Sequence, residues 1–170
     1  MASNIRFAVT GQTKALLSGV EAGKVFCFTN KDGDSDAIFA DTDDTGGSFY
    51  LAIKDGLDEN PPDDNCAVMS IDGKLARYCD ADRDVTVVPC EFFEGKKTDT
   101  KKLSDVGHGG FFKIKDEEVF MVMNVTPIKG NKVSVLAIST GIMYVLDSDR
   151  YVRHCANAHF SCKMALSSDI

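Results

Sequence analysis

Short apolar or alternating runs rich in Val, Ile, Phe and Tyr follow one another along the chain, broken every few residues by Gly, Asp or Asn. Successive side chains of a strand point to opposite faces, so a period of two between turn residues predicts many short strands. We read about a dozen of them, among them Ile5-Val9, Val25-Thr29, Phe49-Ile53, Ala67-Ile71, Leu75-Cys79, Val133-Ile138, Met143-Leu146 and Tyr151-Cys155. No stretch keeps a helical period for three turns. The nearest, Lys14 to Ala22, holds Gly19 and is followed by Gly23. Glycine costs about 1 kcal/mol relative to alanine inside a helix, so this piece reads as strand and turn.

The connections carry turn chemistry, as in Lys31-Asp32-Gly33, Asn60-Pro61-Pro62-Asp63, Asp72-Gly73 and Lys129-Gly130-Asn131. The longest irregular segment, 94–110, reads as a loop insertion in a single domain spanning 1–170. Three times an apolar couplet runs into Asp-x-Asp: Phe39-Ala40-Asp41-Thr42-Asp43, Tyr78-Cys79-Asp80-Ala81-Asp82 and Val145-Leu146-Asp147-Ser148-Asp149. The second and third copies continue as Arg83-Asp84-Val85 and Arg150-Tyr151-Val152. Upstream they stay in ungapped register, Val68 matching Val135 and Ile71 matching Ile138. Internal repetition has to be read before any local motif. Val25-Phe28, Ala37-Ala40 and Phe49-Ile53 match Ala67-Ile71, Leu75-Cys79 and Phe111-Ile114, and these match Val133-Ile138, Met143-Leu146 and Phe160-Met164. About four strands in each of three units predict an all-β chain of about twelve strands, a β-trefoil with pseudo-threefold repeats whose closure removes open sheet edges.

Phe49-Tyr50-Leu51-Ala52-Ile53-Lys54-Asp55, a Pro-containing loop, Ala67-Val68-Met69-Ser70-Ile71 and Leu75-Ala76-Arg77-Tyr78-Cys79 resemble middle strands of the interleukin-1 superfamily, interleukin-18-like cytokines in particular. Val119-Phe120-Met121 through Met143-Tyr144-Val145-Leu146, and the closing Phe160-Ser161-Cys162-Lys163-Met164, are similar to later strands of that family. The chain departs from it at Val135-Leu136-Ala137 and Gly141-Ile142-Met143-Tyr144, where members tend to have Phe-Glu-Ser and a Pro-Gly-aromatic turn. The resemblance implies a non-enzymatic, leaderless cytokine that binds a cell-surface receptor with immunoglobulin-like domains through its loops.

At 170 residues the chain is long enough to bury a core without metal or disulfide support. Its formal charge of −7 argues against gripping nucleic acid or anionic membranes, which needs clustered cations. Lys96, Lys97, Lys101 and Lys102 form one basic cluster, read as a solvated loop. Met1 to Val9 has no secretory apolar core, and no run approaches the roughly 18 apolar residues of a membrane span. These readings predict synthesis in the cytoplasm and no membrane insertion; release to the extracellular space without a signal peptide is what the resemblance implies. The six cysteines show no Cys-x-x-Cys pair, and most lie in apolar runs, which predicts buried thiols.

Candidate chemistry is sparse. Asp32, Asp34, Asp36 and Asp43 imitate a calcium loop, but Ala37 stands where its glycine is required. His154, Cys155, His159 and Cys162 suggest zinc, although His154 and Cys155 diverge on a strand. Gly19 to Lys24 is one residue short of a phosphate loop. We therefore expect no metal, no cofactor and no catalytic residue, and a monomer. Asp80, Asp82, Arg83, Asp147, Asp149 and Arg150 read first as tight turns and second as charged loops that orient a basic partner. With Lys54 and Asp55 they form the expected partner-binding set. The competing readings are an intracellular actin-associated trefoil of the fascin or hisactophilin kind, a protease inhibitor and a sugar-binding trefoil.

Overall fold

The structure is a computed structural model describing residues 7–9, 13–28, 49–54, 56–58, 60–95, 98–115, 118–125, 130–162 and 164–166. Within them sixteen strands form, with only two short 3-10 turns, so the chain is all-β. The first half holds β1 (Phe7–Val9), β2 (Thr13–Leu16), β3 (Val25–Phe28), β4 (Tyr50–Ile53), β5 (Asn65–Ser70), β6 (Ala76–Asp80), β7 (Asp84–Val88) and β8 (Cys90–Phe93). The second holds β9 (Thr98–Lys102), β10 (Phe111–Lys113), β11 (Val119–Val122), β12 (Lys132–Ala137), β13 (Ile142–Asp147), β14 (Tyr151–Cys155), β15 (His159–Cys162) and β16 (Met164–Leu166).

The pairing repeats twice. One six-stranded antiparallel sheet runs β2-β7-β3-β4-β5-β6, and the other runs β9-β14-β10-β11-β12-β13, the same order with each strand replaced by its counterpart. Two further ladders join β1 to β16 and β8 to β15. Each half also has its 3-10 turn in the same place, Leu17–Gly19 after β2 and Leu103–Asp105 after β9.

This twofold order departs from the threefold grouping expected from sequence. The ungapped match of Val68 to Val135 holds, since these residues sit at matching places on β5 and β12. The match of Phe111 to Phe49 does not. Phe111 opens β10, the counterpart of β3, whereas β4 is matched by β11. Residues 94–110, expected as a loop insertion, hold β9 and its 3-10 turn, the counterparts of β2 and Leu17–Gly19. The first Asp-x-Asp, at Asp41 and Asp43, and the Asp32 to Asp36 run lie outside the described residues.

Period-two alternation sends neighbouring residues to two different cores. Phe26, Tyr50, Val68 and Val85 pack with Leu17 in a core belonging to the first half. Phe112, Phe120, Val135 and Val152 pack with Leu103 in its counterpart. The alternate residues Val25, Leu51 and Met69 meet Phe111, Met121 and Leu136 in a central core shared by both halves. The central strands of each six-stranded sheet are thus covered on both faces, and removing one such side chain as far as alanine costs about 2–5 kcal/mol.

Backbone contacts lock the halves reciprocally. The Lys54 N–H donates to the Gly141 carbonyl at 2.8 Å, and the Asn124 N–H donates to the Gly73 carbonyl at 2.9 Å. Gly23 and Gly109 follow the 3-10 turns with φ of 80° and 79°. A Cβ on Gly23 would lie 3.0 Å from the Ile138 carbonyl oxygen, and one on Gly109 would collide with the Asp72 carbonyl oxygen. Glycine is required there both for the left-handed conformation and for the close approach of the opposite hairpin.

Candidate functional site: two equivalent acidic turns

The β6–β7 and β13–β14 connections have the same construction. Arg83 N–H donates to the Asp80 carbonyl at 3.1 Å and closes the first turn; Arg150 N–H to the Asp147 carbonyl, also 3.1 Å, closes the second. The middle residue is pinned from two sides. Ala81 N–H donates to Asp64 O at 2.9 Å, and Ala81 O accepts from Ser18 N–H at 2.9 Å. Ser148 N–H donates to Asn131 O at 2.9 Å, and Ser148 O accepts from Ser104 N–H at 3.0 Å. The clamp comes in each half from the 3-10 turn and from a residue in the left-handed region, Asp64 at φ 60° or Asn131 at φ 61°. Asp and Asn tolerate that region better than other non-glycine residues. Holding the middle residue leaves Asp80, Asp82, Asp147 and Asp149 exposed on either side of it. The Asp-x-Asp pattern is the sequence trace of this clamp.

The two turns differ in how their arginines are held. The Arg83 guanidinium lies 3.9 Å from the centroid of the Phe28 ring, which anchors that cation to the aromatic cluster of Phe26, Phe28 and Tyr50. The position matching Phe28 is Ile114, and Arg150 is exposed. Asp147 makes a hydrogen-bonded ion pair with Lys132 on the neighbouring strand. That bond and the Lys132 charge hold the Asp147 carboxyl below its ordinary range, with a lesser contribution from Arg150.

The expected partner-binding residues are distributed over both halves of the chain. Asp80, Asp82 and Arg83 belong to one turn, and Asp147, Asp149 and Arg150 to its counterpart. Lys54 follows β4 and touches the opposite half through Gly141. Asp55 lies outside the described residues.

Sequence reading missed two clefts. One, about 420 Å³, is lined by Thr13, Lys24, Val87, Pro89, Cys90 and Glu91 among others. The other, about 250 Å³, has Phe92 and Phe160 on its wall and Glu94 and Glu118 at its edge. Its acids are engaged in holding the fold: Glu94 pairs with Lys113 at 2.5 Å, and Glu118 accepts the Ser139 hydroxyl at 2.9 Å. No local motif marks these clefts, because their residues come from segments far apart in the chain.

The cysteines and histidines sit in ordinary structural settings, with one correction. Cys27, Cys79 and Cys155 are buried and Cys66 is half-buried, all as thiols. Cys90, in contrast, is disulfide-bonded, and it lies in direct backbone register with Cys162 across the β8–β15 ladder. Burial pushes the Cys27 thiol up to about 11, and its Sγ donates to the Thr86 carbonyl at 3.8 Å. A thiol held that far from ionisation is a poor nucleophile or metal ligand. His154 Nδ1 lies 3.1 Å from Asp99 Oδ1, whereas the adjacent Cys155 enters the shared core, so the two diverge as strand geometry requires. Among the described residues no helix is long and apolar enough to cross a membrane.

Comparison with known proteins returned no matching family model, no matching curated protein and no matching solved structure, so the chain is characterised by its own geometry.

Proposed function

We propose that the chain is a non-enzymatic binding protein that presents its two acidic turns to a basic surface on a protein partner. The observation that carries this reading is the reciprocal clamp on Ala81 and Ser148, which spends two backbone hydrogen bonds per turn on holding exposed aspartates outward. Loops fixed on a rigid scaffold suit recognition because their outer side chains vary without disturbing the core. Complementary charge gives such contacts speed and specificity. The formal charge of −7 supports the same choice of partner.

The resemblance to interleukin-1-like cytokines makes a receptor with immunoglobulin-like domains the partner class proposed first, and extracellular release the route that goes with it. The β-trefoil of that family is the fold the resemblance proposes. A trefoil groups its strands in three units and the ladders here group them in two, so the resemblance supports the partner class more than the fold. A second reading, an intracellular actin-associated protein, is favoured by the thiols at Cys27, Cys66 and Cys155, since reducing compartments keep thiols reduced.

The test is capture by the full chain from a panel of cell-surface ectodomains, run beside a cytosolic extract. The expected result is an ectodomain bound in a salt-sensitive manner and weakened at least tenfold by Asp82→Asn combined with Asp149→Asn. Recovery of cytoskeletal proteins alone would replace the receptor reading with the intracellular one. Binding indifferent to both substitutions and to salt would remove the turns from the interface.

A further inference from the structure

Cys66 on β5 and Cys79 on β6 are directly opposite each other in an antiparallel ladder. Directly opposed residues point to the same face of the sheet. The ladder bonds on either side, Ala81 N–H to Asp64 O and Ser70 N–H to Leu75 O, show that this pair falls at a hydrogen-bonded site. The Cα atoms of such a site are about 5.5 Å apart, inside the range of roughly 4.4–6.8 Å that a disulfide spans. The usual Cβ separation of an opposed pair, about 4.5–5.5 Å, is wider than the approximately 3.5–4.5 Å of a bridged pair. Closing the bond therefore asks the strands to draw together, and strain of that kind makes a disulfide easier to reduce.

Two internal comparisons sharpen the picture. Cys90 and Cys162 stand in the same direct register on β8 and β15, and Cys90 is disulfide-bonded, so the chain already tolerates oxidation. In the second half the counterparts of Cys66 and Cys79 are Val133 and Leu146, which pair directly and pack in the matching core. Cysteine is thus not demanded by the fold at these places. Cys66 is half-buried and Cys79 is buried, so one thiol is reachable and the other waits behind it.

We propose that Cys66 and Cys79 form a reversible redox site that closes to a cross-strand disulfide by exchange with a small disulfide such as oxidised glutathione. The Cys66 thiolate, having lost its proton to solvent, attacks one sulfur of oxidised glutathione and expels a glutathione thiolate. The Cys79 thiol loses its proton and attacks Cys66 Sγ, expelling the second. Two protein thiols are oxidised by two electrons, and one glutathione disulfide is reduced to two glutathione thiols. Burial, with a smaller effect from Cys79, raises the Cys66 thiol above its ordinary pKa, so the first attack quickens as pH rises through the alkaline range. Cys79 immediately precedes Asp80. The bond therefore fastens the base of the first acidic turn and leaves the second untouched.

The full chain is incubated at mildly alkaline pH with oxidised glutathione, quenched with acid and N-ethylmaleimide, digested without reduction and examined by mass spectrometry. The expected product is a peptide joining Cys66 to Cys79, lighter by two hydrogens than its separate parts and reopened by reduced glutathione. Amide exchange slows at Ala81 to Arg83 and not at Ser148 to Arg150. Cys66→Ser abolishes the linked peptide. Val133→Cys with Leu146→Cys installs the same register in the second half and forms the same link; its failure to link overturns register as the cause. A stable glutathione adduct left on Cys66, or both thiols still open to alkylation at equilibrium, overturns the proposal.

Discussion

Lys54 and Gly141 are joined across the two halves by a backbone hydrogen bond of 2.8 Å, and the bond from Asn124 to Gly73 repeats the arrangement in the opposite direction. Reciprocal contacts of this kind are what a twofold relationship imposes on a self-complementary surface: what one half gives to the other it also receives. The shared core of Val25, Leu51, Met69, Phe111, Met121 and Leu136 lies along the same seam.

Gly109→Ala is expected to destabilise the chain by about 3 kcal/mol or more, since it combines a left-handed backbone with a collision against the Asp72 carbonyl. Gly107→Ala, with nothing within 4 Å of the added carbon, should stay within about 0.5 kcal/mol of the parent. Urea unfolding of the two variants makes the comparison. Similar losses in both would deny Gly109 its role in the seam.

Leu136→Ala and Met69→Ala remove matching side chains of the shared core, one from each half. Each should cost about 2–5 kcal/mol and lower the unfolding midpoint of both halves together. Amide exchange on β5 and on β12 would report them separately. If Met69→Ala loosened β5 while β12 kept its protection, the central core would not couple the halves.

Arg83→Ala should cost about 0.5–1 kcal/mol through loss of the contact with the Phe28 ring. Arg150→Ala, whose counterpart ring is replaced by Ile114, should fall within about 0.5 kcal/mol of the parent. Denaturant midpoints distinguish the two, and equal effects would contradict the assigned asymmetry.

Asp147 should titrate below about 3.9, the ordinary value for the side chain, when followed by carboxyl NMR. A depressed folded value means that the stabilisation from the Lys132 pair is present above the unfolded pKa and is lost as pH falls through the folded one. The pair is exposed, so salt should weaken it, and Lys132→Ala should return the Asp147 midpoint toward 3.9. An unchanged midpoint in that variant would assign the shift to another cause.

At pH 8 only about one part in a thousand of Cys27 is thiolate if its pKa is about 11. Brief treatment of the folded chain with N-ethylmaleimide should therefore label the half-buried Cys66 well before the buried Cys27. Peptide mapping gives the order. Labelling of Cys27 at the rate of Cys66 would contradict its burial.

Local chemistry in the sequence was enough for the all-β class, for the reading of Lys14 to Ala22 as strand and turn, and for the likeness of the Asp80 and Asp147 turns. Each rests on neighbours in the chain: alternation defines a strand, glycine breaks a helix, and an ungapped match keeps Val68 with Val135. β9 was not legible, because Thr98-Asp99-Thr100-Lys101-Lys102 has no apolar alternation and becomes a strand by pairing with Tyr151–Cys155. The twofold order and the glycine seam at Gly23 and Gly109 likewise depend on residues distant in sequence. So does the bonded state of Cys90, which the even spread of cysteines concealed. Short-range periodicity by itself determined which residues form strands and turns; only the tertiary structure decided which strands pair, because registers and close backbone approaches are set by the whole set of contacts that fills the shared core.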